Sequence, residues 1–162
     1  MDENQFWSLV QSAHDSARGD MDEKCELIKA SITQLTPAEA AEFSRLFRRA
    51  MSRAYDWQLW GAAYVIDGGC SDDSFIDFRA SLISRGRVAF DRALANPDSL
   101  ADEDSEADDW FYEGYQYAVS EGVEAVAGPD VALEPQSVDP SGDPWDEDEV
   151  YALFPRLAEK YA

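Results

Sequence analysis

The segment Trp57-Gln58-Leu59-Trp60-Gly61-Ala62-Ala63-Tyr64-Val65-Ile66 is apolar around nearly its whole helical circumference. A helix of that kind escapes water only when other helices cover most of its sides, so the chain has to build a packed multi-helix core. Asp56 precedes the segment, and Gly68-Gly69 supplies a stop, because glycine takes positive φ without steric cost. Gly61, Ala62 and Ala63 permit close approach of a neighbour. This helix is expected to be the most buried one, with Trp60 and Ile66 almost inaccessible. Phe43 and Phe47 on the preceding helix, and Phe75 and Phe78 on the following one, are the predicted facing surfaces.

The flanking sequence supplies such helices. Phe6, Leu9, Val10, Ala13 and Ala17 recur at helical spacing from Asn4 to about Arg18, and Gly19-Asp20 ends that run. Leu27, Ile28 and Ile32 mark an inward face from Met21 to Leu35. Thr36-Pro37-Ala38-Glu39 has the N-cap, the first-position proline and the third-position glutamate of a capping box. The helix it opens carries Phe43, Leu46, Phe47, Ala50 and Ala54 on one side and Arg45, Arg48, Arg49 and Arg53 elsewhere. Those four cations can answer acidic groups in the same molecule, form a small anion-binding patch or stay solvated, and the first and last readings are favoured.

Ser71 caps a further helix with Asp72 and Asp73 in its first turn and Phe75, Phe78 and Leu82 inward. Arg85 falls in its last turn, with Gly86 just beyond. Val88, Phe90 and Leu94 form a short helix that stops before Asn96-Pro97. Residues 99–109 are polar enough for a mobile loop, and the aromatic-rich stretch 110–119 suits a helix. Residues 128–144 are irregular by composition. Asp146 caps a last helix over 147–162, with Val150, Leu153, Phe154 and Leu157 inward and Pro155 bending or shortening it. The predicted class is mainly α, a compact multi-helix bundle with a central apolar helix and irregular acidic loops, in one domain over residues 1–162.

Charge separates the chain into unequal parts. The net charge is −21, and residues 93–155 contain 18 acidic side chains and no Lys or Arg. Such a region repels nucleic acid and anionic lipid, whose binding requires basic groups to displace counterions. A basic protein partner is electrostatically favoured. The apolar fraction of 45% is too high for a disordered chain of this charge. The acidic start of the chain lacks the features of a secretion signal, and no apolar run reaches the roughly 20 residues of a membrane span, so a cytoplasmic location is expected. Cys25 and Cys70 have no second ligand at metal spacing, which excludes a structural zinc site and favours reduced thiols.

Leu59 to Ile66, followed by Gly68-Gly69-Cys70-Ser71-Asp72-Asp73-Ser74-Phe75 and Asp77-Phe78-Arg79, closely resembles the bacterial domain-of-unknown-function family 4240. Phe6-Trp7 and Asn96-Pro97-Asp98-Ser99-Leu100-Ala101 share the likeness, which spans roughly residues 4–125 with a weaker echo at Gly142 and Trp145. Ser81 departs from it, standing where the family places a tryptophan. The resemblance implies the helical fold and a bacterial cytoplasmic setting, and brings no activity or catalytic residues.

Candidate chemistry is sparse. His14 is the single histidine, lying beside the apolar stripe of the first helix with no nucleophile tied to it, so neither a catalytic triad nor a cofactor is implied. The sharpest ligand or cation candidate is Asp72, Asp73, Asp77 and Arg79, in which Asp73 and Asp77 share a helix face. The partner-binding candidate is the acidic run Asp102, Glu103, Asp104, Glu106, Asp108 and Asp109 with the aromatics Trp110, Phe111, Tyr112 and Tyr115. Charge would speed encounter and the rings would anchor it. The leading expectation is therefore a non-catalytic adaptor, regulator or immunity-type inhibitor. The alternative is an enzyme or small-ligand binder built on the Asp/Arg group.

Overall fold

A computed structural model describes residues 1–131 and 139–162. Its helices are α1 (Glu3–Ala17), α2 (Met21–Thr33), α3 (Pro37–Arg53), α4 (Trp57–Asp67), α5 (Asp72–Ile83), α6 (Arg87–Ala95), α7 (Ala107–Trp110), α8 (Gly114–Ala127), α9 (Val150–Leu153) and α10 (Pro155–Tyr161). A 3₁₀ helix, Pro97–Asp102, separates α6 from α7. The protein is an all-α bundle, and no strand occurs among the described residues. An isolated parallel bridge joins Asp56 to Ser141.

Local chemistry sets the boundaries. Thr36 and Glu39 form the predicted reciprocal capping box, and Asp2 and Gln5 form another that starts α1 one residue early. The Asp56 carboxylate accepts from the Gln58 and Leu59 amides at 3.0 and 3.1 Å, opening α4, and Gly68 closes it at φ 70°. The Ser71 hydroxyl accepts from the Ser74 amide to open α5.

One hydrophobic cluster runs from Phe6 to Leu157. Within it α8 packs on α2 and α3, and α1 packs on α2. Gly122 brings α8 so near α2 that a Cβ there would lie 3.2 Å from Ile32. The cover of α4 differs from expectation. It packs chiefly on α9, α10, the 3₁₀ helix and α5, not on the phenylalanines of α3. Gly61 is the site of closest approach, since a Cβ would stand 2.8 Å from the Phe154 ring and 2.9 Å from Trp145 Nε1. Ile66 is buried, as predicted, but Trp60 is only half-buried. Its two faces stack on Trp57 and Phe75 at 5.3 and 5.0 Å, and its Nε1 donates to the Cys70 carbonyl. Trp57, one turn away on α4, and Phe75, from α5, thus shield the Trp60 ring. The centre is shared with α5, in which residues 78–83 are all buried.

Other expectations need correction. Val88 is 79% exposed, because α6 turns only Phe90 and Ala93 fully inward. Residues 99–109 are not a free loop. Asp102 pairs with Arg92 and Arg156, while the Lys160 ammonium donates to the Ala101 and Glu103 carbonyls. The aromatic stretch breaks after Trp110, so α7 and α8 are separate helices. The last helix is likewise split at Phe154-Pro155, and Leu153 is 48% exposed at the break. Arg85 lies beyond the end of α5 and stacks on the Trp110 ring at 4.1 Å. Residues 128–131 and 139–144 hold no helix, while 132–138 lie outside the described residues. Both cysteines are free.

Candidate cleft between α3, α5 and α8

Three helices diverge around a cleft of about 550 Å³, within the size range of small-molecule sites. From α3 come Ser44, Phe47, Arg48 and Met51, which recur every three or four residues and so form one stripe. From α5 come Asp72, Ile76 and Arg79, and Tyr55 closes the end between these two helices. The third wall is the Gln116, Val119, Ser120, Val123 and Glu124 stripe of α8, followed by Gly128, Pro129 and Val131.

Arg79 is the fixed element of the cleft. Only 5% exposed, it donates from Nη1 to the Met51 carbonyl at 2.9 Å and from Nε to the Phe75 carbonyl at 3.3 Å. Its guanidinium lies 4.5 Å from the Tyr55 ring centre and 5.0 Å from that of Phe75. Burial pushes its pKa below the usual arginine value, while Asp72 and Tyr55 oppose that shift. Among the described residues no carboxylate lies within ion-pair distance of it and no acceptor meets Nη2.

Arg48 is the loose element. Its Nε is screened from water and has no hydrogen-bond partner, and no ion pair holds its head group among the described residues. Its neighbours behave otherwise, for Arg45 binds Glu42 at 2.8 Å and Arg53 lies 3.7 Å from Asp91.

The predicted Asp/Arg group divides. Asp72 and Arg79 line the same cleft, with Asp72 accepting from the Tyr55 hydroxyl at 3.0 Å. Burial and that acceptor raise the Tyr55 pKa. Asp73 is exposed and lies outside the cleft. Asp77 is not on the cleft lining but accepts at 2.9 Å from Nε2 of Gln116, which is. Its pKa is raised first by burial and then by Glu113. Among the described residues no three His, Cys, Asp or Glu side chains converge to hold a metal ion.

The second candidate loses two of its anchors. Trp110 and Tyr115 are wholly buried, Trp110 donating from Nε1 to the Tyr161 hydroxyl at 3.2 Å, so neither ring can meet a partner. Phe111 is half-buried against Phe78, and the Tyr112 hydroxyl is bound to Asp22. Asp102 is neutralised by Arg92 and Arg156, while Glu103 and Asp109 are half-buried. Asp104, Glu106 and Asp108 are exposed. Ser81, in place of the expected tryptophan, is buried and donates to the Tyr112 carbonyl at 3.3 Å.

Residues 1–125 match the family described as "Protein of unknown function (DUF4240)". The chain belongs to the DUF4240 family. The matched span carries α1 to α7 and nearly all of α8, hence every cleft residue from Ser44 to Glu124, but not α9 and α10, which cover α4. No curated protein and no solved structure matches the chain. No helix among the described residues is long and apolar enough to cross a membrane.

Sequence reasoning had isolated Asp72 and Arg79 but not Arg48, Tyr55 or Gln116 as their companions. The four arginines of α3 were the available signal, since the anion-binding option fits Arg48 alone.

Proposed function

We propose that this DUF4240 domain is a non-catalytic binding module of the bacterial cytoplasm that receives a small ligand in the cleft between α3, α5 and α8. The observation that carries this reading is a buried, carbonyl-clamped Arg79 opening, beside Asp72, into a cavity of about 550 Å³ with Phe47, Met51, Ile76, Val119 and Val123 on its walls. Apolar walls with a few fixed polar groups are the usual composition of a small-molecule site. A library of small aliphatic and aromatic compounds, screened by amide chemical shifts, should give hits that move Met51, Ile76, Gln116 and Val119. Ser120→Trp, at an exposed lining position, should abolish them. Hits confined to other surfaces, or unaffected by Ser120→Trp, would end this reading.

The interaction reading stands second. Asp104, Glu106 and Asp108 are exposed and have no cationic partner among the described residues, which leaves a basic protein surface free to supply one. Replacing all three by amides should weaken a salt-sensitive complex with such a partner. Binding that ignored both salt and these substitutions would remove the proposal.

A further inference from the structure

We infer that the cleft takes a ligand with a single carboxylate on an apolar body, and that Arg48 is the side chain that pairs with the carboxylate. This rests on the small-ligand reading above and names its ligand class. In a protein of net charge −21, two guanidinium groups line one cleft, and neither has an ion-pair partner among the described residues. Arg79 has two of its donors committed to carbonyls and Nη2 left over, which makes it a rigid donor. Arg48 has none committed, and its buried Nε–H lacks an acceptor, a defect that costs roughly 1–3 kcal/mol until an acceptor arrives. The planar guanidinium fork suits a carboxylate, which can accept two parallel N–H bonds.

The charge of the ligand follows from the other groups in the cleft. Asp72 and Glu124 stand on the same lining, and the whole molecule repels anions. A phosphate monoester, at roughly −1.5 to −2 near neutral pH, scales its gain at the arginines and its repulsion by Asp72 and Glu124 alike, but the cost of stripping water from its charge grows faster than either, which favours the monoanion. Phe47, Met51, Ile76, Val119 and Val123 line the cleft as well and receive a hydrocarbon body, while Ser44, Gln116 and Ser120 carry no charge and so call for no second ionised group.

The probes are 4-phenylbutyrate, its uncharged amide and the phosphate monoester of the same body, titrated into the full chain and followed by the chemical shifts of cleft residues. The carboxylate should bind about tenfold more tightly than the amide, the effect of one charge-assisted contact. Arg48→Gln should bring the two to equal affinity without lowering the thermal midpoint, since Arg48 makes no hydrogen bond or ion pair among the described residues. Asp72→Asn should tighten both anionic probes and leave the amide unchanged, an outcome that a merely structural role would not give. Equal binding of acid and amide by the unaltered protein overturns the anion assignment and leaves the small-ligand reading standing. Tighter binding of the phosphate ester overturns the choice of a monoanion. Silence of the cleft toward all three overturns the inference, whereas the library screen judges the cleft itself.

Discussion

Arg79 and Lys24 are both basic, nearly inaccessible and without an ion-pair partner among the described residues, but their surroundings treat the charge in opposite ways. Around Arg79, two carbonyls accept from the guanidinium and the Tyr55 and Phe75 rings lie near its faces. Around Lys24, on α2, the ammonium finds only the Ser84 hydroxyl at 3.1 Å, and Arg85 repels it from nearby. Burial, then Arg85, pushes the Lys24 pKa down to about 8. A delocalised cation with fixed acceptors keeps its charge at lower cost than a point charge with one hydroxyl. The first arrangement opens on a cleft, whereas the second is packed shut.

The largest effect expected from this contrast is at Arg79. Arg79→Met leaves the Met51 carbonyl without its donor and strips the cation from two rings, so about 4 kcal/mol of stability should be lost, measured by urea denaturation. A neutral or stabilising outcome would erase the distinction between the two sites.

Lys24→Met should act in the reverse direction. Between about 8 and 10.5 the unfolded chain holds the Lys24 proton more tightly than the folded one, so unfolding free energy contributed by this group rises with pH across that window. Below it the buried charge costs about 3 kcal/mol, the equivalent of the pKa displacement. The variant should therefore be more stable than the parent at pH 7, with the gap closing toward pH 10.5. The comparison is best made in a Cys25→Ala background, because burial pushes that thiol up to about 11 and Lys24 acts on it. A gap of constant size would show that Lys24 is not an isolated charge.

The smallest effect concerns salt. Screening over about 8 Å at physiological ionic strength should relieve repulsion among the exposed carboxylates and raise the thermal midpoint by a few degrees, about 1 kcal/mol. The difference between Lys24→Met and the parent should survive the same change, because buried charge is screened little. Its disappearance in salt would place Lys24 at the surface.

Features that depend on neighbouring residues were legible in the sequence. Thr36 with Glu39, Ser71 and Gly68 act through hydrogen bonds or backbone angles within a few residues, and each has its predicted role. The all-α class followed from the same periodicity. What failed was the choice of distant partners. An apolar helix states that it needs cover, but Phe47 and Phe154 are equally apolar candidates, and only Gly61 marks the side on which Phe154 fits. The candidate site split for a similar reason. Asp72 and Asp77 lie five residues apart on α5 and so meet different neighbours, one Tyr55 and the other Gln116. The aromatic run 110–115 has the acidic neighbours of an exposed patch, yet Trp110 and Tyr115 are core, while Asp104, Glu106 and Asp108 lie on the solvent side.

The cover of α4 by Val150, Phe154 and Leu157 has a consequence in time as well as in space. Leu157 is made 90 residues after Asp67, the end of α4. At about 5–20 residues per second, a ribosome leaves the Gly61 face of α4 bare for roughly 5 to 20 s while α1, α2, α3 and α8 can already associate. During that interval the nascent chain presents an apolar helix to any holdase chaperone, and Gly61 offers no side chain to protect it. Synthesis of this protein is thus a race between the arrival of α10 and capture of α4.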